Sequence, residues 1–116
     1  MSLLSKQDIL KNADSKTIDM DVPEWGGSVR ITTMSGFARD RFESSVIGKN
    51  GGVNHVNIRA KLVAACLVDD KGELMFKEKD IDALGRKSCK ALDRIFEEAQ
   101  KLNGIGDTEI EDLAKN

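Results

Sequence analysis

Hydrophobic positions change period along the chain, and each change marks an element. Between Thr17 and Val22, the residues Ile18, Met20 and Val22 alternate with Thr17, Asp19 and Asp21, the two-residue period of a strand with one buried face. Val29, Ile31 and Thr33 repeat the pattern opposite Ser28, Arg30 and Thr32. Between the runs, Pro23 fixes φ while Gly26 and Gly27 are free to take positive φ, which predicts a β-hairpin over about 17 to 34. A two-stranded hairpin alone is marginal in water, so it must lie on helices, gain a third strand or pair across subunits.

Helical spacing occupies the rest. Leu3, Leu4, Ile9 and Leu10, with Ser5 as N-cap, predict a short helix in an N-terminal arm over 1–16. After Ser35 and Gly36, the positions of Phe37, Ala38, Phe42, Val46 and Ile47 mark the apolar face of a helix that Gly48 stops, followed by a flexible loop to Gly52. Ile58, Leu62, Ala65 and Cys66 share a face of the next helix. The run from Leu62 to Val68 is apolar almost throughout and suits a buried central helix, although period alone does not separate it from a buried strand.

Asp69 to Gly72 form a turn, and Glu73 to Phe76 are short and extended. Lys77 to Leu84 predict a short helix closed by Gly85 as a left-handed C-cap. The clearest helix begins at Ser88 and runs to Asn103 and Gly104, with Leu92, Ile95, Phe96, Ala99 and Leu102 at three- and four-residue steps and Glu97 paired with Lys101. Thr108 and Glu111 have the spacing of a capping box for a last short helix within an acidic tail over 107–116. Strands precede helices, so the fold class is α+β: an N-terminal β-hairpin followed by a bundle of about four helices, with one domain over 17–106.

Composition narrows the function. A chain of 116 residues supports one modest core, and aromatics make up only 4%, so aliphatics must build it. The 18 basic and 20 acidic residues are interspersed, which disfavours nucleic acid as a partner. No apolar run reaches the roughly 18 residues of a membrane span, and the start lacks the pattern of a secretory leader, so a cytoplasmic location with reduced thiols is expected.

Candidate chemistry is sparse. One histidine, His55, and two cysteines 23 positions apart do not make a metal site, and no cofactor is expected. Cys66 and Cys89 both fall in apolar helical patterns and read as buried thiols, although either could meet His55 in space as a nucleophile pair. The glycines from Gly48 to Gly52 lack the order of a phosphate-binding loop. The pairs Asp69 with Asp70 and Glu97 with Glu98 read as solvated charges, as do Arg39 and Arg41.

Trp25 stands out as the only tryptophan, placed at the hairpin tip beside Glu24. Its ring either folds back over the helices or serves as an interface anchor, a role in which tryptophan is enriched. Trp25, Glu24 and Arg30 are the candidate partner-binding residues, and the hairpin edges could accept a strand.

The segments DVPEWGGSVRITTMSGFARDRFE, ELMFKEKDIDALGRKS and LDRIFEEAQKLNGIG, in that order, resemble the tail assembly chaperones of tailed bacteriophages and prophages, over most of the chain. The resemblance implies a protein that binds the tape measure protein in the cytoplasm of the bacterial host, helps recruit major tail (tube) protein subunits, is absent from the finished virion and has no catalytic site. It also implies a short form of a pair made by ribosomal frameshifting near Ala114, Lys115 and Asn116, which a slippery run of adenines in the gene would support. Self-association is expected from the same reasoning, since a hairpin seeks completion and a long client offers many equivalent sites. The alternatives are a small phage-encoded regulator or inhibitor of one host protein, and an enzyme using Cys66 or Cys89.

Overall fold

The computed structural model describes residues 2–106. The last helix expected within 107–116 therefore lies outside the described residues. Strands β1 (Thr17–Val22) and β2 (Gly27–Thr32) pair antiparallel, with Thr17 opposite Thr32 and Val22 opposite Gly27. Alternation puts Ile18 and Met20 against the core and buries Val22 and Ile31 completely. The reversal is a 3₁₀ turn, Pro23–Trp25, closed where the Gly26 N–H donates to the Pro23 carbonyl at 3.1 Å. Gly26 alone takes the left-handed conformation there, at φ 71°, while Gly27 already belongs to the strand.

Two of the three ways of completing the hairpin are realised, because it lies on helices and gains a third strand. Helix α3 (Ile58–Cys66) ends two residues earlier than expected, and Leu67–Val68 form β3, antiparallel to β2 with Arg30 opposite Val68 and Ile31 opposite Leu67. This corrects the helical reading of the full run from Leu62 to Val68. Both residues are buried whichever state they adopt, so hydrophobicity does not choose; the unpaired edge of β2 does, since its N–H and C=O groups need partners. The sheet order is β1, β2, β3. The turn expected after Val68 forms with the Asp69 carboxylate accepting from the N–H groups of Lys71 and Glu73, and Leu74 bridges back to Val68.

Helix α3 is apolar on nearly every side, with Ala60, Leu62, Val63, Ala64 and Cys66 all buried, as a central helix must be. Around it pack α2 (Gly36–Val46), α4 (Ile81–Gly85) and α5 (Cys89–Asn103). Helix α2 is capped by the Ser35 hydroxyl, which accepts from the Ala38 N–H at 3.1 Å. Phe42 and Val46 bury on it, but Phe37 is 72% exposed with Arg41 stacked over its ring, and Ile47 is also exposed, so the buried stripe is narrower than the sequence suggests. The glycine loop after α2 is a closed reversal rather than a free connector: the Gly48 N–H donates to the Gly52 carbonyl and Ile47 bridges to Val53.

Two helix ends differ from expectation. Gly85 is the last residue of α4 and does not take positive φ. A side chain there would displace the Asn57 side chain, whose amide donates to Asp82, so glycine serves close approach at this position instead of a cap. Ser88 occupies the N-cap of α5 without a side-chain hydrogen bond. The other end of α5 closes as expected: Gly104 is left-handed at φ 65°, the Ile105 N–H reaches the Gln100 carbonyl at 2.9 Å, and Ile105 is buried beside it.

Candidate partner-binding surface

At the hairpin tip, the Glu24 carboxylate accepts two hydrogen bonds from the Arg94 guanidinium of α5, from Nη2 at 2.9 Å and Nε at 3.2 Å. Arg94 holds the Glu24 carboxyl below its usual range, so this clasp is complete above the ordinary carboxylate pKa and is lost as pH falls through the lowered value. Trp25, next in the turn, is half-buried and packs against the core while leaving part of its ring in solvent. Arg30 lies three register positions from the tip and forms the same two-bond fork with Asp19 directly across the hairpin, at 2.7 and 3.0 Å. The structure thus joins Trp25 and Glu24 in one turn tied to α5 and sets Arg30 apart, on the outward face of the sheet.

The opposite end of the sheet carries features that periodicity does not reveal. An open groove of about 480 Å³ is lined by the polar Asp14, Thr32, Thr33 and Ser35 together with the apolar Met34, Ala38, Ala65, Val68 and Leu74. Exposed Phe37 and Met75 are sequence neighbours of residues that line it. These residues come from the segment before β1, from the end of β2 and the segment after it, from α2, α3 and β3, and from the turn after β3, so only the folded chain assembles them. Beneath it, the Asn103 side chain ties α5 to the end of β2: its Oδ1 accepts from the Met34 N–H at 2.7 Å, and its Nδ2 donates to the Ala99 carbonyl at 2.9 Å and the Thr32 carbonyl at 3.5 Å. The sequence marked Asn103 only as a helix end.

The two thiols part company. Cys66 is fully buried, whereas Cys89, expected to be buried too, is exposed at the first turn of α5, where its Sγ donates to the Asp93 carboxylate at 3.5 Å. The helical pattern misplaced Cys89 because it precedes the buried stripe that begins at Ala91. His55 and Cys89 line one small pocket of about 150 Å³ with Arg59 and Lys87. Burial pushes the Cys66 thiol from its ordinary 9.0 up to about 12, against a weaker opposing hydrogen bond from Asn103. Because the folded value is the higher one, the contribution of Cys66 to stability is full below about pH 9 and is lost as pH rises toward 12. In native thiol labelling at neutral pH, Cys89 is expected to react at the rate of an exposed thiol, while Cys66 reacts only on unfolding. Labelling of both thiols at one rate would overturn this assignment.

Among the described residues no group of three or more His, Cys, Asp or Glu side chains is placed to hold a metal ion, and no helix is long and apolar enough to cross a membrane. A family model described as phage tail assembly chaperone matches residues 6–116. The chain belongs to that family. The role is that of a chaperone, which is non-enzymatic, and its partners are in general those of tail assembly. Among solved structures, the bacteriophage HK97 tail assembly chaperone is similar with a TM-score of 0.62 and 22% identity, over 84% of this chain and 89% of that one. At that identity the likeness is one of fold, and it agrees with the α+β architecture. No curated protein matches the chain.

Proposed function

We propose that this chaperone binds the tape measure protein in the cytoplasm of the host cell, helps recruit tail tube subunits to it, and is left out of the finished virion. The observation that carries the reading is the family match, which spans the hairpin, the helices and the tail together. The hairpin tip supports it physically. Trp25 offers part of an aromatic ring to solvent, and the fork between Glu24 and Arg94 holds the turn that carries it, so little conformational freedom remains to be lost on binding. Glu24 anchors the tip, and Arg30, kept in place by Asp19, adds a fixed cation on the outward sheet face. A helical client with one apolar stripe fits such a surface.

The decisive experiment is affinity purification of tagged protein from cells producing the phage, with mass spectrometry of what is retained. Recovery of the tape measure or tail tube protein supports the proposal; a single host protein in their place would move the chain to a regulatory role. With the client in hand, Trp25→Ala is expected to weaken capture by about tenfold or more, the loss typical of an aromatic hot spot. Thermal unfolding of the same variant separates a lost contact from a lost fold, and unchanged capture would place the client elsewhere.

A further inference from the structure

The hairpin is paired on one side only. Strand β2 has a neighbour on each side, whereas among the described residues nothing pairs with the outer edge of β1. The ladder shows which groups that edge presents. The Thr33 N–H donates to the Lys16 carbonyl at 2.9 Å, and hydrogen-bonded pairs of an antiparallel ladder recur at every second residue. Ile18, Met20 and Val22 therefore turn their N–H and C=O groups toward β2, and Thr17, Asp19 and Asp21 turn theirs away. All three are exposed. Helix α1 (Lys6–Lys11), which leads into the strand, buries no residue and does not pack on it, so it gives the edge no cover.

Native sheets blunt such an edge with proline, lysine, a bulge or a charge that points inward. Strand β1 uses none of these. It contains no proline or lysine, it pairs one to one with β2 from Thr17 to Val22 without a bulge, and its inward row is Ile18, Met20 and Val22. Its six residues offer about 20 Å of edge at ~3.3 Å per residue. Ile18 and Met20 pack against the core yet stay half-buried, so the apolar row beneath the sheet is left partly uncovered along this side.

The outward face of the same edge is acidic. Asp19 is neutralised by its fork with Arg30, but Asp21 accepts only from the Ser28 hydroxyl, at 2.7 Å, and has no cationic partner among the described residues. Residues directly opposite each other in an antiparallel pair share a face, so a strand added here sets side chains against Thr17, Asp19 and Asp21 on the outside. Basic residues are attracted there, and the residues between them meet Ile18 and Met20 on the core side. A second copy is the wrong occupant. Two β1 edges paired about their middle bring aspartate against aspartate, which like charge disfavours.

We propose that the free edge of β1 takes an extended segment of a partner protein as a fourth, antiparallel strand, in which basic residues opposite Asp19 and Asp21 alternate with apolar residues on the core side. Main-chain bonds to Thr17, Asp19 and Asp21 hold the segment, and the alternation selects it. The inference does not depend on the tape measure reading. Its test contains neither tape measure nor tail tube protein, so each can fail alone.

NMR on the isotope-labelled full chain tests it, with a capped hexapeptide of alternating lysine and valine as the probe. Binding is expected with a Kd of about 1 mM or tighter and with shifts centred on the amides of β1. With the peptide at about ten times its Kd, hydrogen exchange of the Thr17, Asp19 and Asp21 amides is expected to slow about tenfold, because only the unbound edge exchanges. Methyl groups on the backbone nitrogens of the peptide lysines remove the donors that face the edge and are expected to abolish binding. The same groups on the valines, whose N–H groups point away, are expected to leave the Kd within about twofold. Asp21→Lys is expected to weaken the lysine peptide about threefold and to favour a peptide of alternating glutamate and valine, with unchanged thermal unfolding as the check on the fold. No binding at about 10 mM peptide, shifts centred off β1, or equal loss from both methylated peptides would each overturn the proposal. Protection of the three amides in the free chain would mean that the edge is already occupied, by a second copy if it grows with concentration, and would equally overturn it.

Discussion

Alanine in place of Ile95 lowers the free energy of unfolding by about 3 kcal/mol and the melting temperature by roughly 15 °C. Ile95 has no exposed surface and lies at the centre of the buried stripe of α5, which packs on both α3 and β2. Removing three carbons there forfeits transfer free energy and leaves a cavity whose walls cannot close, because the stripe on either side, Leu92 and Ala99, is already buried against neighbours. The check is urea unfolding, in which the midpoint falls while the slope stays constant. Phe37→Ala, a larger deletion at an exposed site, is expected to cost no more than about 0.5 kcal/mol. A comparable loss at both positions would mean that Phe37 is covered in solution.

Asn103→Ala is expected to cost about 2 kcal/mol, within the range for a buried donor left without its acceptor. The half-buried Met34 N–H loses its 2.7 Å partner, and the Thr32 carbonyl loses a donor. Asn103→Asp keeps the shape and the acceptor but sets a carboxylate beside the carbonyls of Ala99 and Thr32, near a helix C-terminus that repels negative charge. That variant is expected to be at least as unstable at neutral pH and to recover on acidification, since a protonated carboxyl donates where the amide did. Hydrogen exchange supplies the local readout: the Met34 amide is expected to speed up in Asn103→Ala and much less in Asn103→Asp. Equal exchange in all three proteins would remove Asn103 from its place between α5 and β2.

The elements visible in the sequence were those whose environment differs from side to side. Alternation of Ile18, Met20 and Val22 with acids fixes which face of β1 is buried, and the stripe from Leu92 to Ala99 does the same for α5. Leu67 and Val68 carried no such signal, because both are enclosed and a buried strand reads like a buried helix. The tip was legible as a turn with a lone tryptophan, but its clasp was not: Glu24 and Arg94 are 70 positions apart, and nothing local announces their pairing. The groove failed for the same reason, since Met34, Ala65 and Leu74 meet only after three elements have packed. Gly85 looked like a helix stop because glycine serves both caps and close contacts, and only Asn57 reveals which.

The dependence of β2 on distant residues also orders events during synthesis. The hairpin strands leave the ribosome first, but β2 gains its second neighbour only with Leu67 and Val68, and the Met34 N–H finds its acceptor only when Asn103 emerges. At about 5 to 20 residues per second, this leaves several seconds in which β2 lacks its second neighbour or the Met34 N–H its acceptor. Translation stalled before Leu67 therefore yields a nascent chain with the hairpin of a domain and none of its closure, a state open to proteases and to pairing with neighbouring chains.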